Sequence, residues 1–247
     1  MMLVSSMSNI LVFDASSSWC SAALSVNGDV FSTAEMQPRQ HAQLILPMIE
    51  GLCQQAGIKP AGLNGIAYGK GPGSFTGLRI AISVAQGLSL ATGAKLYGIS
   101  SLQALAWQGM KQLGHERVVA IMNAHMGEVF YGAYAQASDA MTCIINDALC
   151  KPEDVNLAPL FSNNGSFNAW VGVGDGFQFE SQLPDTIQQL KLIDSEISPL
   201  AQSMMDLALI AWQQNEFTAA EYQQPVYLRD TVAWKKLSEQ PSLLKNK

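Results

Sequence analysis

The chain has 247 residues, of which 48% are hydrophobic and 14% charged, and its formal net charge at pH 7 is −6. This composition is typical of one or two packed globular domains. With only 14 Lys and Arg residues, the chain lacks the basic surface that usually neutralises nucleic-acid phosphates. We therefore expect that this chain does not bind nucleic acid by itself.

The cysteines and the apolar segments argue against a zinc-binding, disulfide-rich, secreted or membrane protein. The four cysteines show no Cys-x-x-Cys spacing, so neither a zinc knuckle nor a disulfide framework is indicated. The first residues, MMLVSSMSN, lack the basic flank and the apolar run of a signal peptide, and no later segment holds about 18 unbroken apolar residues. We expect a soluble, cytoplasmic protein without membrane contact, whose fold begins near Ser8.

Two strand-turn-strand segments recur 109 residues apart. ILVF at residues 10–13 leads through Asp14 and a polar turn into CSAALSV, and VAIM at residues 119–122 leads through Asn123 into VFYGAYA. Both patterns predict β-hairpins, and helical and strand-like segments follow each of them. The repeat predicts an α/β fold of two related halves with a boundary near residue 105, unless the likeness of the two hairpins is due to chance.

An amphipathic helix is predicted after the first hairpin. Apolar residues recur at three- and four-residue steps from about Gln43 to Ala56, and Gly57 supplies a stop. Pro47 favours a start of the regular helix no earlier than Gln43, because proline removes a backbone hydrogen bond inside a helix.

A second helix, from about Phe75 to Thr92, is apolar on nearly every face. Its large polar residues are Arg79 and Gln86. Small residues form a stripe at four-residue spacing: Gly77, Ala81, Ala85 and Ser89. Such a helix is either internal to the fold or covered by another chain, and the stripe would let a second helix come close.

GKGPGSFTGLRIA at residues 69–81 joins a short strand in LNGIAYGKG to the second helix. Loops of this kind often bind phosphate, but the spacing fits neither a Walker loop, nor a dinucleotide fingerprint, nor a nucleophile elbow. The other interpretation is structural, with Ser74 as helix cap and glycines that permit a tight turn. We expect the loop to set the angle of the helix through Gly71, Gly73, Ser74 and Gly77.

Several segments together resemble the bacterial TsaB (YeaZ) family. They are FDASSSWCSAALSV, PRQHAQLILPMIEGL, AYGKGPGSFTGLRIAISVAQGL, AHMGEVFYGAY and EYQQPVYLRDTVAWKKL, and the likeness spans about residues 9 to 237. The resemblance implies an α/β, duplicated ribonuclease H-like fold of the actin-like (ASKHA) ATPase superfamily, related to the glycoprotease (M22) proteins, with two mixed-sheet lobes. We accordingly expect lobes at residues 8–105 and 106–225 and a C-terminal tail at 226–247.

The resemblance also implies a function. Members of the family are accessory subunits in the synthesis of threonylcarbamoyladenosine at position 37 (t6A37) of tRNAs that read codons beginning with A. They act with a catalytic paralogue of the same fold (TsaD type) and an ATPase subunit (TsaE type), and they meet tRNA only through that complex. The implied role is that of a non-catalytic, activating subunit. The alternatives are a metallopeptidase-like enzyme and an actin-like phosphotransferase.

The metallopeptidase alternative depends on histidine. In the catalytic relatives a His-x-x-x-His pair holds a metal after the strand that follows the glycine loop, whereas the corresponding segment here reads LYGISSLQALAWQ. The three histidines of the chain, His41, His115 and His125, lack the helical spacing of metal ligands. We expect His41 on a helix surface, His115 in a loop, His125 in the second hairpin turn, and no catalytic or metal-binding residue.

The phosphotransferase alternative depends on the cleft between the hairpin turns, where acidic residues of the superfamily position a magnesium-bound nucleotide. The first turn matches this pattern, the second has an uncharged amide, and WVGVGDGF resembles the turn that packs an adenosine. We expect a degenerate nucleotide cleft that could take ATP or ADP, as could the interface with a partner, although no cofactor is required. Its predicted residues are Asp14, Ser16, Ser17, Asn123, Gly174 and Asp175.

In the family, two helices from each partner make a four-helix contact. We expect the two predicted helices to present an apolar face to the paralogue, and to a second copy of the chain when the paralogue is absent. The predicted interface residues are His41, Leu44, Ile45, Met48, Ile49, Leu52, Leu78, Ala81, Ile82, Ala85 and Ser89. The basic cluster of Arg229, Lys235 and Lys236 would contact RNA or the acidic remainder of the complex, unless it is a solvated tail.

Overall fold

The computed structural model describes residues 8–37, 39–137, 140–161 and 169–229. The first sheet contains β1 (Ile10–Asp14), β2 (Cys20–Val26), β3 (Asp29–Glu35), β4 (Gly65–Gly71) and β5 (Lys95–Ser100). The second contains β6 (Arg117–His125), β7 (Glu128–Ala137), β8 (Ala140–Cys150), β9 (Val171–Val173) and β10 (Ile193–Asp194). The α-helices are α1 (His41–Gln55), α2 (Phe75–Thr92), α3 (Ser101–Leu113) and α4 (Ala201–Gln213). No helix in these ranges is long and apolar enough to cross a membrane.

The two sheets share one topology. Their strand orders are β3-β2-β1-β4-β5 and β8-β7-β6-β9-β10. In each, the first three strands along the chain pair antiparallel, and the fourth and fifth are added in parallel. Each sheet is therefore mixed, and the second repeats the first strand by strand. This confirms the predicted duplicated α/β fold with two mixed-sheet lobes.

The core is arranged in layers. Ile10 and Val12 of β1 belong to an apolar cluster that includes α3, α4 and one face of the second sheet. Leu11 and Phe13 point the other way, as alternate residues of a strand must, and pack with α1 and α2. The outer face of the second sheet is covered by segments that include the 3₁₀ helices at residues 175–182 and 185–189. Thus α3 and α4 lie between the sheets, whereas α1 and α2 lie outside the first sheet.

The predicted lobe boundary near residue 105 falls inside α3, the helix that connects the two sheets. In addition, α4 comes from the range predicted for the second lobe but packs against β1 and β2 of the first. The reason is that each sheet needs an apolar layer on its inner face: α4 packs on the first sheet and on α3, and α3 contacts both sheets. Of the predicted tail, residues 226–229 run beside the first lobe, where the Val226 N–H donates to the Lys70 carbonyl at 2.7 Å. Residues 230–247 lie outside the described residues.

The bounds of α2 are as predicted, and α1 begins two residues earlier than expected. The Gln40 carbonyl accepts hydrogen bonds from the N–H groups of Gln43 and Leu44, at 2.8 and 3.1 Å, and so anchors the first turn. Pro47 lies inside this helix. Because Pro47 is on the exposed side, the carbonyl that it leaves unpaired can be hydrated.

A carboxylate joins the two lobes beside β5. Asp147 of β8 accepts hydrogen bonds from the Ser100 hydroxyl, at 2.5 Å, and from the Tyr134 hydroxyl. Burial raises the pKa of Asp147, and the hydrogen bonds from Ser100 and Tyr134 and the charge of Lys70 oppose that rise. Ser100 also caps α3, because its oxygen accepts the Gln103 N–H at 3.2 Å. Ser100 therefore connects the start of α3 to the second sheet.

We predict that Ser100→Ala lowers the free energy of unfolding more than Ser74→Ala, although both serines cap a helix. Ser74→Ala should cost about 1 kcal/mol, the usual effect of losing a cap. Ser100→Ala should cost about 2–3 kcal/mol, because it also removes a donor to the partly buried Asp147. Urea unfolding followed by circular dichroism measures both, and equal losses would contradict the link between the lobes.

Candidate functional site

A cavity of about 660 Å³, here called the cleft, lies between the two lobes. Its walls come from the β1–β2 turn, the starts of α1 and α2, the β6–β7 turn and the turn after β9. Five of the six residues predicted for a nucleotide cleft line it: Ser16, Ser17, Asn123, Gly174 and Asp175. The duplicated fold therefore brings together residues that lie more than 150 positions apart in sequence.

Asp14, the sixth predicted residue, is 1% exposed and is not part of the cleft wall. Its Oδ2 accepts the Ser16 N–H at 3.1 Å, whereas its Oδ1 has no hydrogen-bond partner within the described ranges. A Cβ atom on Gly69 would lie 1.8 Å from that Oδ1, so the carboxyl packs directly on the backbone of β4. The prediction that Asp14 faces the cleft is therefore wrong. Burial raises the pKa of Asp14 from 3.8 to about 6.

Polar atoms of the β6–β7 turn form hydrogen bonds within the second lobe. The Asn123 side-chain oxygen accepts the His125 N–H, and the Asn123 N–H donates to Asp175 Oδ1, both at 2.8 Å. Burial raises the pKa of Asp175, and the Asn123 N–H and the nearby His125 oppose this. These bonds tie the β6–β7 turn to the turn after β9.

The glycine loop packs on the β1–β2 turn. Ser74 caps α2 as predicted, since its side chain accepts the Gly77 N–H at 3.3 Å, and its own N–H donates to the Ser16 carbonyl at 2.8 Å. A Cβ atom on Gly77 would lie 1.9 Å from the Ala15 carbonyl oxygen, and one on Gly73 would lie 2.6 Å from that of Ser16. The space in which a phosphate-binding loop would hold its ligand is thus filled by backbone.

The residues predicted as a partner interface pack inside this chain. Ten of the eleven are buried and Leu44 is half-buried, and most of them contact the first sheet. Their selection as a docking surface is therefore wrong, because the apolar stripes of α1 and α2 face the chain's own sheet. The buried members are His41, Ile45, Met48, Ile49, Leu52, Leu78, Ala81, Ile82, Ala85 and Ser89.

The opposite side of these two helices exposes apolar side chains among polar ones. Leu46 is 51% exposed, Phe75 45% and Leu90 91%, and Ile80 and Val84 are half-buried. The outward side of α1 and α2, which are in contact, is here called the outer α1–α2 face. Sequence periodicity did not identify this surface, because it predicts which residues share a helix face and not which face the fold covers.

A more apolar groove of about 1040 Å³ borders this face. Residues 75–84 of α2, the β6–β7 turn and residues 226–229 line it. The Phe75 ring lies 5.2 Å from the Tyr227 ring, and the Arg79 guanidinium lies 3.9 Å above the Phe75 ring. The groove therefore continues the apolar character of α2 towards the second lobe.

Arg229 is held in place rather than free. It forms an ion pair with Glu128 and donates to the Ala124 carbonyl oxygen at 3.2 Å. The guanidinium fixes residues 226–229 to the β6–β7 turn, and the expected contact of Arg229 with RNA or with the acidic remainder of the complex stays a prediction. Lys235 and Lys236 lie outside the described residues.

The histidines occupy different environments. His115 is half-buried between α3 and β6 and His125 is exposed in the second hairpin turn, as predicted. His41 is only 8% exposed, so its expected surface position is wrong. It starts α1 beside the cleft, where Arg39 and Thr76 also contribute to the wall. Sequence reasoning missed Arg39 and Thr76, whose signal was their position at the starts of two helices. In the described part of the chain, no three His, Cys, Asp or Glu residues are placed to hold a metal ion.

Comparisons with known proteins agree with this architecture. A family model described as TsaD, tRNA N6-adenosine threonylcarbamoyltransferase, matches residues 33–237. The tRNA threonylcarbamoyladenosine biosynthesis protein TsaB of Escherichia coli strain K12 is 37% identical over 232 residues, which cover 92% of this chain and 97% of that protein. The chain belongs to the TsaB (YeaZ) family.

Other members of the TsaB (YeaZ) family are similarly close. TsaB of Haemophilus influenzae is 32% identical over 241 residues, covering 92% of this chain and 96% of that protein. The structure of YeaZ from Pseudomonas aeruginosa superposes with a TM-score of 0.83 at 36% identity, covering 90% of this chain and 100% of that one. The layered, duplicated fold is thus the fold of a TsaB (YeaZ) protein over its full length.

We predict that Asp14→Asn stabilises the protein at pH 8 but not near pH 4. In the folded state the pKa of Asp14 is about 6, above the ordinary value of 3.8 for an aspartate in an unfolded chain. The folded state therefore binds the proton of the Asp14 carboxyl more tightly than the unfolded state does. The stability that results is present below pH 4 and is lost as the pH rises through 6. The difference between the two pKa values corresponds to about 3 kcal/mol in the free energy of unfolding. Urea unfolding at several pH values measures it.

The control for this prediction is Asp29→Asn, because Asp29 is exposed on β3. It should leave the pH dependence of stability unchanged. A wild-type protein that loses no more stability between pH 4 and 6 than the Asp14→Asn variant would show that Asp14 is not buried as a costly charge.

Proposed function

We propose that this chain is a non-catalytic subunit required for the formation of t6A37 in tRNAs that read codons beginning with A. In this proposal it binds and activates a catalytic paralogue of the TsaD type, an ATPase subunit of the TsaE type joins them, and tRNA is met only through the complex. The names of its relatives and the match to the TsaD family model support the pathway and the shared fold.

The observation that carries the non-catalytic role is the arrangement of the two hairpin turns. A phosphotransferase of this superfamily would need carboxylates from both turns facing a magnesium-bound nucleotide. Here Asp14 packs on β4 instead of lining the cleft, and Asn123 uses its side-chain oxygen within its own turn. No cofactor is needed for the proposed role, and ATP or ADP in the cleft or at the partner interface remains a prediction, as does the cytoplasmic location.

The outer α1–α2 face supports the proposed partner contact. Large exposed apolar side chains bordered by polar residues are typical of surfaces that another protein covers. Leu90, at 91% exposure, gains nothing from the monomer's own core and would be buried by a partner helix. A paralogue of the same fold has two corresponding helices, so the two proteins could form a four-helix contact. A second copy of this chain would occupy the same face when the paralogue is absent.

We predict that Leu90→Asp weakens binding to the TsaD-type paralogue at least about 30-fold, because burying an unpaired carboxylate costs about 2 kcal/mol or more. Leu192→Asp is the matched control, since Leu192 is 44% exposed but lies in the second lobe. Both variants should keep the wild-type unfolding midpoint. Isothermal titration calorimetry measures the affinities, and equal affinities for the two variants would exclude this face as the interface.

In cells, we predict that depletion of this protein abolishes t6A although the catalytic paralogue is still made. Wild-type protein and Leu192→Asp should restore the modification, and Leu90→Asp should restore it only as far as it still binds the paralogue. Mass spectrometry of nucleosides from digested tRNA is the measurement. Normal t6A levels after depletion, in a cell without a second family member, would refute the proposed function.

A further inference from the structure

The groove that borders the outer α1–α2 face has cationic and apolar walls, and none of its described lining residues is acidic. The whole chain has 20 Asp and Glu residues against 14 Lys and Arg, so a groove of about 1040 Å³ without a carboxylate in its wall differs in charge from the chain as a whole. Its cationic side chains are Arg79, His125 and Arg229. A negatively charged group would therefore meet no like charge in this wall.

Arg79 is the arginine of this wall that has no acidic partner among the described residues. Arg229 is already paired with Glu128, whereas Arg79 is exposed on α2. The Arg79 guanidinium lies 3.9 Å above the Phe75 ring, and such a stacked guanidinium keeps the N–H groups at its edge available. Those N–H groups can form two parallel hydrogen bonds with a carboxylate.

The apolar part of the wall comes from both lobes. Leu78, Ile80 and Val84 belong to α2, and Met126 and Phe130 belong to the β6–β7 hairpin. In the free chain Met126 is 71% exposed. An apolar side chain bound in the groove would remove this surface from water, and that transfer is favourable.

The segment at residues 226–229 forms another side of the groove. The Val226 N–H donates to a carbonyl of β4, and Arg229 is fixed to the β6–β7 turn, so the segment is held at both ends. Between these points, the backbone N–H and C=O groups of Tyr227 and Leu228 form no hydrogen bond with any described residue. A segment held in this way can pair with the backbone of an extended peptide, as an edge strand does.

We propose that the groove binds an extended segment of a partner protein that carries large apolar side chains and a carboxylate. The carboxylate binds the Arg79 guanidinium, the apolar side chains contact α2 and the β6–β7 hairpin, and the backbone pairs with residues 227–228. RNA suits the groove less well, because a phosphate backbone needs several unpaired cations and this wall offers one unpaired arginine among the described residues. The proposal does not depend on the activating role.

Selection from a phage-displayed library of random short peptides tests the proposal on the whole chain. We expect the enriched peptides to combine Asp or Glu with large apolar residues. Fluorescence anisotropy of the synthetic, labelled peptides then measures their affinity. Arg79→Gln should weaken binding by about tenfold or more, because it removes charge-assisted hydrogen bonds. Arg117→Gln is the matched control, since Arg117 is exposed at the start of β6 and outside the groove, and it should bind like wild type.

A second pair of variants tests the position of the peptide. Ser83 is exposed on α2 and lines the groove, whereas Gln86 is exposed further along the same helix and does not. We expect Ser83→Trp to block the groove and to weaken peptide binding by about tenfold or more, and Gln86→Trp to leave it unchanged. Leu90 lies outside the groove, so Leu90→Asp should bind the peptides like wild type. A failure of the paralogue contact is thereby distinguished from a failure of this proposal.

Methylation of alternate backbone nitrogens in the peptide tests the backbone contact. Because one edge of an extended peptide pairs with residues 227–228, one set of methyl groups should abolish binding and the other should not. Equal effects of the two sets would contradict this contact. The proposal is overturned if no peptide is enriched, if the enriched peptides lack a carboxylate, or if Arg79→Gln or Ser83→Trp binds them like its control. A single-stranded RNA that binds wild type and loses affinity in Arg79→Gln would assign the groove to RNA instead.

Discussion

The shared layer of α3 and α4 is the constraint on which the rest of the structure depends. Every residue of α3 from Ser101 to Met110 is buried except Gln103, because both sheets pack against this helix. A separation of the two lobes would therefore expose one continuous apolar cluster to water. The cleft forms above this layer, with Leu105 in its wall, so its width is set by helix packing. The cleft is consequently bordered by the shared helical layer.

The same close packing decides what the glycine loop can do. A loop that binds phosphate leaves its N–H groups pointing into open space, whereas here the Ser74 N–H is bonded to Ser16 and the glycines touch the β1–β2 turn. The loop therefore fixes the direction of α2, as the structural interpretation of the sequence predicted.

Features of the structure that depend on neighbouring residues can be predicted from the sequence, whereas features that depend on contacts between distant segments cannot. The hairpins and the bounds of α2 follow from strand alternation, from the Ser74 cap and from Gly93 at the C-terminus, all of which are local. The small-residue stripe of α2 was predicted to be either internal or covered by another chain. It packs in the core of the first lobe, because a stripe of this kind packs on a sheet as well as on a helix. Met48 and Ala85 lie on the inner side, so substitutions there would test the fold and not the interface. The burial of Asp14 and His41 depends on β4 and α2, which no local pattern relates to them.

The two lobes differ in what covers their outer side, and this difference concerns the proposed partner contact. The first lobe carries two long helices on its outer surface, whereas the corresponding side of the second is covered by segments that include 3₁₀ helices. Among the described residues, the outer helix pair therefore belongs to the first lobe. An activator of this kind acts by binding one conformation of its partner more tightly than another, and its effect is limited by that difference in affinity. A face built on two helices that are packed onto a sheet loses little conformational freedom on binding. In the proposed complex, more of the contact energy would then stabilise the active conformation of the partner.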